Sequence, residues 1–247
     1  MLFRIRMADY VIEVAASRAK TRDFCCAFIT NEEPDIHIAI SLDDIEYERF
    51  IHKEMYYKSE PSDDSLETLA LLRKLSEVLI DHDAFTIHGA AIAVDNEGYI
   101  FTGASGVGKT THIFKWGLSI PDMAIINGDK PFVVINHQPL IYGSPWAGKE
   151  GLYKNTSVPL KSIIILERSE ENHIEQISFT EAFPVLYQQV YHSESVDRIR
   201  KTLNLLQCLK QPVSFYRFKC NNFKDDCFET SYNALRRKDI PTAGGPL

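Results

Sequence analysis

The strongest hydrophobic pattern in the chain is a helical stripe in its second quarter. Its apolar positions recur three and four residues apart, which places them on one buried face of a helix. These positions are Leu71, Leu72, Leu75, Val78 and Leu79. Asp64, with Glu67 three residues later, has the spacing of a capping box and predicts where this helix begins. The stripe therefore predicts a helix that packs against the core.

Most of the remaining apolar runs are short and typical of strands. Before residue 60, three β-prone runs lie between polar breaks, at 10–14, 25–29 and 36–40. Later runs predict strands over 84–94, 99–102, 123–126, 132–135, 140–142, 160–166 and 213–218, and helices over 111–116, 181–192, 196–209 and 224–236. This order predicts a mixed α/β fold, whose core sheet contains antiparallel pairs and is flanked by helices.

The polar segment 58–64 contains a proline and is the predicted boundary between two parts of the chain. It separates a small strand-rich segment over 1–60 from a main domain over 61–247. Residues 240–247 contain two prolines and two glycines, which predicts a frayed tail.

The composition is that of an ordinary globular protein, with 247 residues, 45% hydrophobic and 25% charged. A net charge of −7 argues against nucleic acid or a membrane surface as partner, because both attract basic surfaces. The basic run Arg236-Arg-Lys238 lies near a predicted helix end, where it suits the helix dipole. No run reaches the twenty apolar residues of a membrane span, and charges interrupt the apolar start of the chain, so no signal peptide is expected. The five cysteines lack C-x-x-C spacing and predict reduced thiols, without a metal site, in a cytoplasmic protein.

One stretch matches G-x-x-x-x-G-K-[ST], the phosphate-binding P-loop. Its residues, all predicted to contact the nucleotide, are Gly103, Ala104, Ser105, Gly106, Val107, Gly108, Lys109, Thr110 and Thr111. The three glycines can adopt backbone angles closed to other residues, so that successive N–H groups turn toward one anion. Lys109 is expected to reach the β- and γ-phosphates, and the Thr110 hydroxyl to bind Mg²⁺.

An ordinary glycine turn is the alternative interpretation of this stretch. The predicted strand before the motif and the predicted helix after it are the context that a P-loop requires. We therefore predict a nucleoside triphosphate site that takes ATP and Mg²⁺, although the motif leaves GTP and pyrophosphate open as donors. The strand is expected to be reached through a hairpin with its turn at 95–98, whereas most P-loops follow a βαβ unit.

Asp129 follows the apolar run 123–126, about twenty residues after the P-loop. An acid just beyond a buried strand is where the second Mg²⁺ partner of P-loop proteins lies. Asn127-Gly-Asp129 is also good turn chemistry, so a plain turn aspartate is the alternative. Beside a P-loop, we favour a functional role for Asp129.

The segment 143–151 is a loop with three glycines. Loops of this kind often carry function. We predict that Trp146 and Lys149 are exposed there and form the wall on the side of the phosphoryl acceptor. Lys149 would supply positive charge to the phosphate in transit.

The order of these motifs resembles the catalytic domain of the HPr kinase/phosphorylase family, which shares its nucleotide site with bacterial phosphoenolpyruvate carboxykinases. The resemblance lies in His88-Gly89 on a strand, the hairpin, the G-x-S-G-x-G-K-[ST] loop and Asp129, and it covers about residues 84–170. The elements around 127–131 and 143–149 look like a divergent branch, some members of which phosphorylate a peptide serine.

The resemblance implies Lys109 and Thr110 at phosphate and Mg²⁺, and Asp129 as general base or metal ligand. It also implies that His88 orients Asp129, although from the residues alone His88 is first a hydrogen-bonded core histidine. The sequence departs from the family in two places. Gly128 stands where the family has the first of two aspartates, and no copy of its Glu-x-Arg-Gly segment is found. The reverse phosphorylase reaction and HPr as substrate are therefore not carried over.

Two functions of different classes follow from these motifs. The first is an ATP-dependent kinase that phosphorylates a hydroxyl in a peptide, a protein serine or a small molecule. The second is a nucleotide-gated ATP-binding or ATPase module without a dedicated acceptor. Asp129 discriminates between them, because a kinase needs a base near its acceptor. A carboxykinase is not expected, because no second cluster of His, Lys and Asp is found for Mn²⁺, and a homo-oligomer stays open.

Overall fold

The computed structural model describes residues 1–55 and 61–236. The predicted tail over 240–247, residues 237 and 238 of the basic run and residues 58–60 of the predicted boundary lie outside the described residues. Within these ranges the strands are β1 (Leu2–Met7), β2 (Tyr10–Ala15), β3 (Ile36–Ala39), β4 (Ala84–Thr86), β5 (Gly89–Val94), β6 (Glu97–Thr102), β7 (Ala124–Asn127), β8 (Phe132–Ile135), β9 (Pro139–Tyr142), β10 (Ser157–Arg168), β11 (His173–Ile177) and β12 (Ser214–Cys220). The helices are α1 (Ala19–Phe24), α2 (Leu42–Met55), α3 (Asp63–Asp81), α4 (Lys109–Ser119), α5 (Phe179–Gln189), α6 (Val196–Cys208) and α7 (Cys227–Arg236). The predicted mixed α/β class is confirmed.

The N-terminal residues form a small sheet in which β1 runs antiparallel to β2, and β2 runs parallel to β3. Strand alternation turns Ile5 and Ile12 inward, where both are fully buried. They share one hydrophobic core with Leu71 and Leu75 of α3 and with Phe132 of β8. Because the N-terminal sheet and the later elements share this core, the division at residue 60 stays a prediction.

The predicted strand over 25–29 is wrong. Cys25 is the C-cap of α1, and residues 26–28 form one turn of 3-10 helix. Phe28 is buried in the core beneath the small sheet. The apolar run marks packing of a helical turn, because hydrophobic content alone does not fix the backbone conformation of a short segment.

Helix α3 carries the predicted apolar stripe but begins differently from the prediction. Ser62 is the N-cap and accepts a hydrogen bond from the Ser65 N–H at 3.2 Å. Asp64 is therefore not the cap. Glu67 is fully buried, and its carboxylate accepts hydrogen bonds from Ser17 and Thr21 instead of closing a capping box.

Nine strands of the described chain form one mixed sheet, in the order β4-β8-β9-β10-β6-β5-β7, with β12 paired to β10 and β11 to β12. Strand β10 is the centre of this sheet. Its first residues pair antiparallel with β9, and the rest pairs in parallel with β6 and β12. Strand β6 thus lies between a parallel neighbour, β10, and an antiparallel neighbour, β5.

The run 84–94 is two strands rather than the single predicted strand. Strand β4 pairs with β8, whereas β5 pairs with β6 and β7. The chain changes partners at His88, whose N–H donates to the carbonyl of Gln189 at 2.7 Å. The Thr102 hydroxyl, at the end of β6, donates to the carbonyl of His88 at 2.8 Å. This break therefore places His88 beside the end of β6.

Helix α4 is fixed on the strand that precedes it by aromatic packing. Trp116 is fully buried, and its ring lies 5.8 Å from those of Tyr99 and Phe101 on β6. Rings at this spacing add directional packing to the area that they bury. Among the helices of the described ranges, none has the length and apolar character to cross a bilayer.

Candidate active site

The segment between β6 and α4 is a glycine loop with a wound backbone. Gly103, Gly106 and Gly108 have φ angles of +136°, +74° and +108°. A Cβ on Gly103 would lie 2.6 Å from the carbonyl oxygen of Leu166 on β10, so the loop also approaches the sheet closely. Helix α4 begins at Lys109, with Gly108 as its N-cap. The loop amides and the positive end of α4 therefore face the same space, the arrangement that binds anions.

Lys109 folds back over this loop. Its side-chain Nζ donates to the carbonyls of Gly103 at 3.1 Å and Ala104 at 3.3 Å, and the residue is buried. Burial lowers the pKa of Lys109 below its ordinary value; the nearby charge of Asp129 opposes that shift, and the charge of Lys130 adds to it. The charges of Asp129 and Lys130 are thus close enough to act on Lys109.

The turn after β7 is organised by Asn127, which is fully buried. Its side-chain Oδ1 accepts the N–H of Asp129 at 2.8 Å and the N–H of Lys130 at 2.7 Å. Its Nδ2 donates to the carbonyl and the hydroxyl of Ser144 at 2.9 and 3.0 Å. An Asn side chain that closes a turn in this way fixes the backbone two and three residues after it, here at Asp129 and Lys130.

Asp129 lies between two cationic or proton-donating groups. Its Oδ1 is 3.2 Å from Nε2 of His88, and its Oδ2 is 3.4 Å from Nζ of Lys130. Burial by itself raises the pKa of Asp129, but the His88 hydrogen bond and the Lys130 charge outweigh it, so the pKa is lowered. Asp129 is therefore an ionised carboxylate at neutral pH. The Gly89 N–H also donates to its backbone carbonyl at 2.9 Å, which ties the turn to β5.

Compared with protein-family models, the sequence gives no match. No curated protein matches it either. Among solved structures, the HPr(Ser) kinase/phosphatase from Coxiella burnetii is similar, with 13% sequence identity and a TM-score of 0.36. The similar region covers 60% of this chain and 89% of that protein. The family membership, the nucleotide and the acceptor that the sequence suggested remain predictions.

The structure corrects the prediction for Trp146. Its ring is buried rather than exposed, packs 5.6 Å from the ring of Phe24, and donates from Nε1 to the carbonyl of Thr68 at 3.0 Å. The backbone carbonyl of Trp146 accepts the N–H of Lys130 at 3.0 Å. Trp146 is buried because its large apolar ring is more stable in the core, and its carbonyl supports the turn that carries Lys130. Its role on the side of the acceptor stays a prediction.

Lys149 is exposed, as predicted. The residue before it, Gly148, lies beside Asp129. Gly148 has a φ of +76°, and a Cβ there would lie 3.3 Å from Cβ of Asp129. The loop over 143–151 is thus adjacent to the carboxylate. A role for Lys149 toward the acceptor stays a prediction.

Gly128 leaves no room for a side chain. A Cβ at Gly128 would lie 2.6 Å from the carbonyl oxygen of Ala147. Real Cβ atoms do not approach backbone oxygen so closely, and the loop would have to move to admit one. The packing of this turn therefore admits a carboxylate at position 129 but not at position 128.

Two site residues were not identified from the sequence, namely Asn127 and Lys130. Both lie in the Asn-Gly-Asp-Lys stretch, and the only signal for Lys130 was a cation directly after the candidate acid. Lys130 and His88 also line a cavity of about 210 Å³, together with Gln189 and Tyr191. The cavity thus contacts both partners of Asp129, and residues of α3 and α5 form part of its walls.

Proposed function

We propose that the protein is an ATP-dependent kinase that transfers the γ-phosphoryl group to a hydroxyl. The observation that supports this most is the placement of the His88–Asp129 pair within electrostatic reach of Lys109. Phosphoryl transfer needs a held triphosphate and a base that orients the acceptor, more than it needs covalent chemistry. The glycine loop would supply the first, and Asp129 the second.

The chain's own groups would divide the work as follows. The loop amides and the N-terminus of α4 would hold the phosphates, and Lys109 would exchange its two carbonyl partners for β- and γ-phosphate oxygens. His88, donating from Nε2, would hold Oδ1 of Asp129 in place. The free lone pairs of that carboxylate would then accept the proton of the acceptor hydroxyl.

A divalent cation fits this site only if the nucleotide supplies part of its ligands. In the ranges that the structure describes, no three His, Cys, Asp or Glu side chains come together as a metal site. Mg²⁺ is commonly held by one or two protein oxygens together with substrate phosphates and water. Thr110 and Asp129 would provide those protein oxygens, and the ion would neutralise charge on the triphosphate when bound.

The acceptor would approach through the cavity beside His88 and Lys130. Its volume of about 210 Å³ suits a serine side chain or a small alcohol better than a bulky ring system. Lys130 would offset the negative charge of the phosphoryl group as it reaches the acceptor.

The test is nucleotide binding and transfer by Lys109→Ala. A charge-assisted contact to phosphate is lost, so the Kd for Mg²⁺-ATP should rise about 10- to 100-fold in calorimetry. Lys20→Ala is the matched control, because Lys20 is exposed and pairs with Asp64 in the N-terminal region. Transfer is followed with γ-labelled ATP and a pool of serine peptides and small alcohols. Unchanged ATP affinity in Lys109→Ala would overturn the nucleotide site, and ATP turnover without any labelled acceptor would favour the ATPase module.

A further inference from the structure

A second cleft borders the glycine loop. It has a volume of about 550 Å³, within the range of small-molecule sites. Gly106, Gly108 and Thr111 form one wall, and Arg168, Asn222 and Phe223 form the opposite one. The opposite wall belongs to the end of β10 and to the connection between β12 and α7.

The direction of a bound triphosphate along the loop follows from its ends. In a P-loop the lysine reaches the β- and γ-phosphates. Lys109 donates from Nζ to the carbonyls of Gly103 and Ala104, at the start of the loop, so the γ-phosphate belongs there. The nucleoside must then leave on the opposite side, past Thr111, where the 550 Å³ cleft opens.

We infer that this cleft holds the nucleoside and that its base stacks on Phe223. This inference rests on the proposed nucleotide site and adds the position of the base.

Phe223 is an unusual residue for a surface. Its side chain is 96% exposed, although burying a phenylalanine is strongly favourable. The backbone at this position is held, because the Phe223 N–H donates to Oδ1 of Asn221 at 3.0 Å. A solvent-exposed ring at the edge of a cleft is a stacking platform, and any base offers it a π-face.

The two asparagines beside Phe223 hold the backbone of this wall. Asn221 accepts from the Phe223 N–H and donates from Nδ2 to the carbonyl of Glu170 at 3.4 Å. Asn222 donates from Nδ2 to the carbonyl of Gly108 at 3.2 Å, and its Oδ1 accepts from the Cys227 thiol at 3.3 Å. The bond from Asn222 ties the Phe223 segment to the glycine loop.

The cleft also contains two charged groups. Arg168 donates to the carbonyl of Gly106 and brings positive charge to the phosphate end of the cleft. Glu170 lines the cleft as well and is exposed, so its carboxylate can accept from N–H groups of a purine base.

The experiment compares ATP, GTP and inorganic tripolyphosphate as ligands in titration calorimetry with the full chain. In Phe223→Ala, the Kd for both nucleotides should rise about 10- to 100-fold, as for the loss of one stacked base, while tripolyphosphate binds as before. Phe223→Tyr should restore nucleotide affinity. Phe50→Ala is the matched control, because Phe50 is also an exposed phenylalanine, 59% accessible, on α2. An unchanged melting temperature verifies that Phe223→Ala is folded.

Each outcome separates this inference from the proposed function. If Lys109→Ala weakens ATP binding but Phe223→Ala does not, the nucleotide site stands and the base cleft is wrong. If the wild-type chain binds neither nucleotide nor tripolyphosphate, the nucleotide site itself is wrong, and the base cleft with it.

Discussion

Replacing Asp129 by asparagine tests the chemical role of the carboxylate without changing its shape. In Asp129→Asn the side-chain oxygen can still accept from Nε2 of His88, now 3.2 Å away. What is lost is the negative charge, the ability to accept a proton and the attraction to Lys130. The substitution therefore removes chemistry while the turn built by Asn127 stays in place.

The expected size of the effect follows from the surroundings of the carboxylate. A lost general base typically lowers the transfer rate by 10²–10⁴-fold. His88 and Lys130 lower the pKa of Asp129 below its ordinary value of 3.8. A carboxylate whose pKa lies far below the working pH is a weak general base. We therefore expect about a 100-fold loss, at the lower end of that range. The pair with Lys130 is partly exposed, so stability should change by less than about 1 kcal/mol.

The assay measures Mg²⁺-ATP affinity and single-turnover transfer on the same Asp129→Asn preparation. If Asp129 acts as the base, transfer slows while the affinity holds, because the loop amides and Lys109 still bind the phosphates. If it acts mainly as a metal ligand, the Mg²⁺-ATP affinity weakens together with transfer. Asp122→Asn is the control, since Asp122 is an exposed acid just before β7. A normal rate with a normal affinity would remove Asp129 from the site and, with it, the main reason to propose a kinase.

Two further predictions concern the loop and the core. Gly108→Val should abolish ATP binding in calorimetry and lower stability by about 1–3 kcal/mol, because a φ of +108° is strained for valine. Gly151→Val is the control, because Gly151 has a φ of +62° and no atom near a new Cβ; it should show similar backbone strain but still bind ATP. Normal ATP binding by Gly108→Val would refute a role of the glycine loop in binding the nucleotide. In Glu67→Gln, urea unfolding should show a loss of about 1–3 kcal/mol at pH 7 and a weaker dependence on pH below 4.5. Burial raises the pKa of Glu67, but hydrogen bonds from Ser17 and Thr21 lower it more. The ionised carboxylate therefore stabilises the fold fully above pH 4.5, and this stabilisation is lost as the pH falls further. If the free energy of unfolding depended on pH equally in the wild type and in Glu67→Gln, this prediction would be contradicted.

The sequence was most informative where a residue type answers to one local requirement. The glycines of the loop needed positive φ angles, and the structure has them. The hairpin before the loop was predicted from its turn, where Asp95 and Asn96 also have positive φ. The stripe on α3 was predicted because helical spacing follows directly from one buried face.

The sequence was least informative where tertiary contacts decide. The change of partners at His88 is not visible in the pattern of the run 84–94, because both strands are buried on both faces and show no alternation. Trp146 was expected to be exposed because it lies in a glycine-rich loop. Its indole N–H instead donates to a carbonyl of α3, a helix distant in sequence. Asn127 could not be distinguished from any other turn asparagine until Ser144 was seen beside it.

The two neighbours of β6 differ greatly in their distance along the chain. Strand β5 reaches it across a two-residue turn, whereas β10 arrives about sixty residues later. Local pairing closes quickly, and pairing between distant segments is slow because a long loop must be ordered first. We expect the hairpin to form early in folding. The contact between Gly103 and Leu166 would follow only when β10 docks, so the glycine loop would gain its final shape as one of the last events of folding.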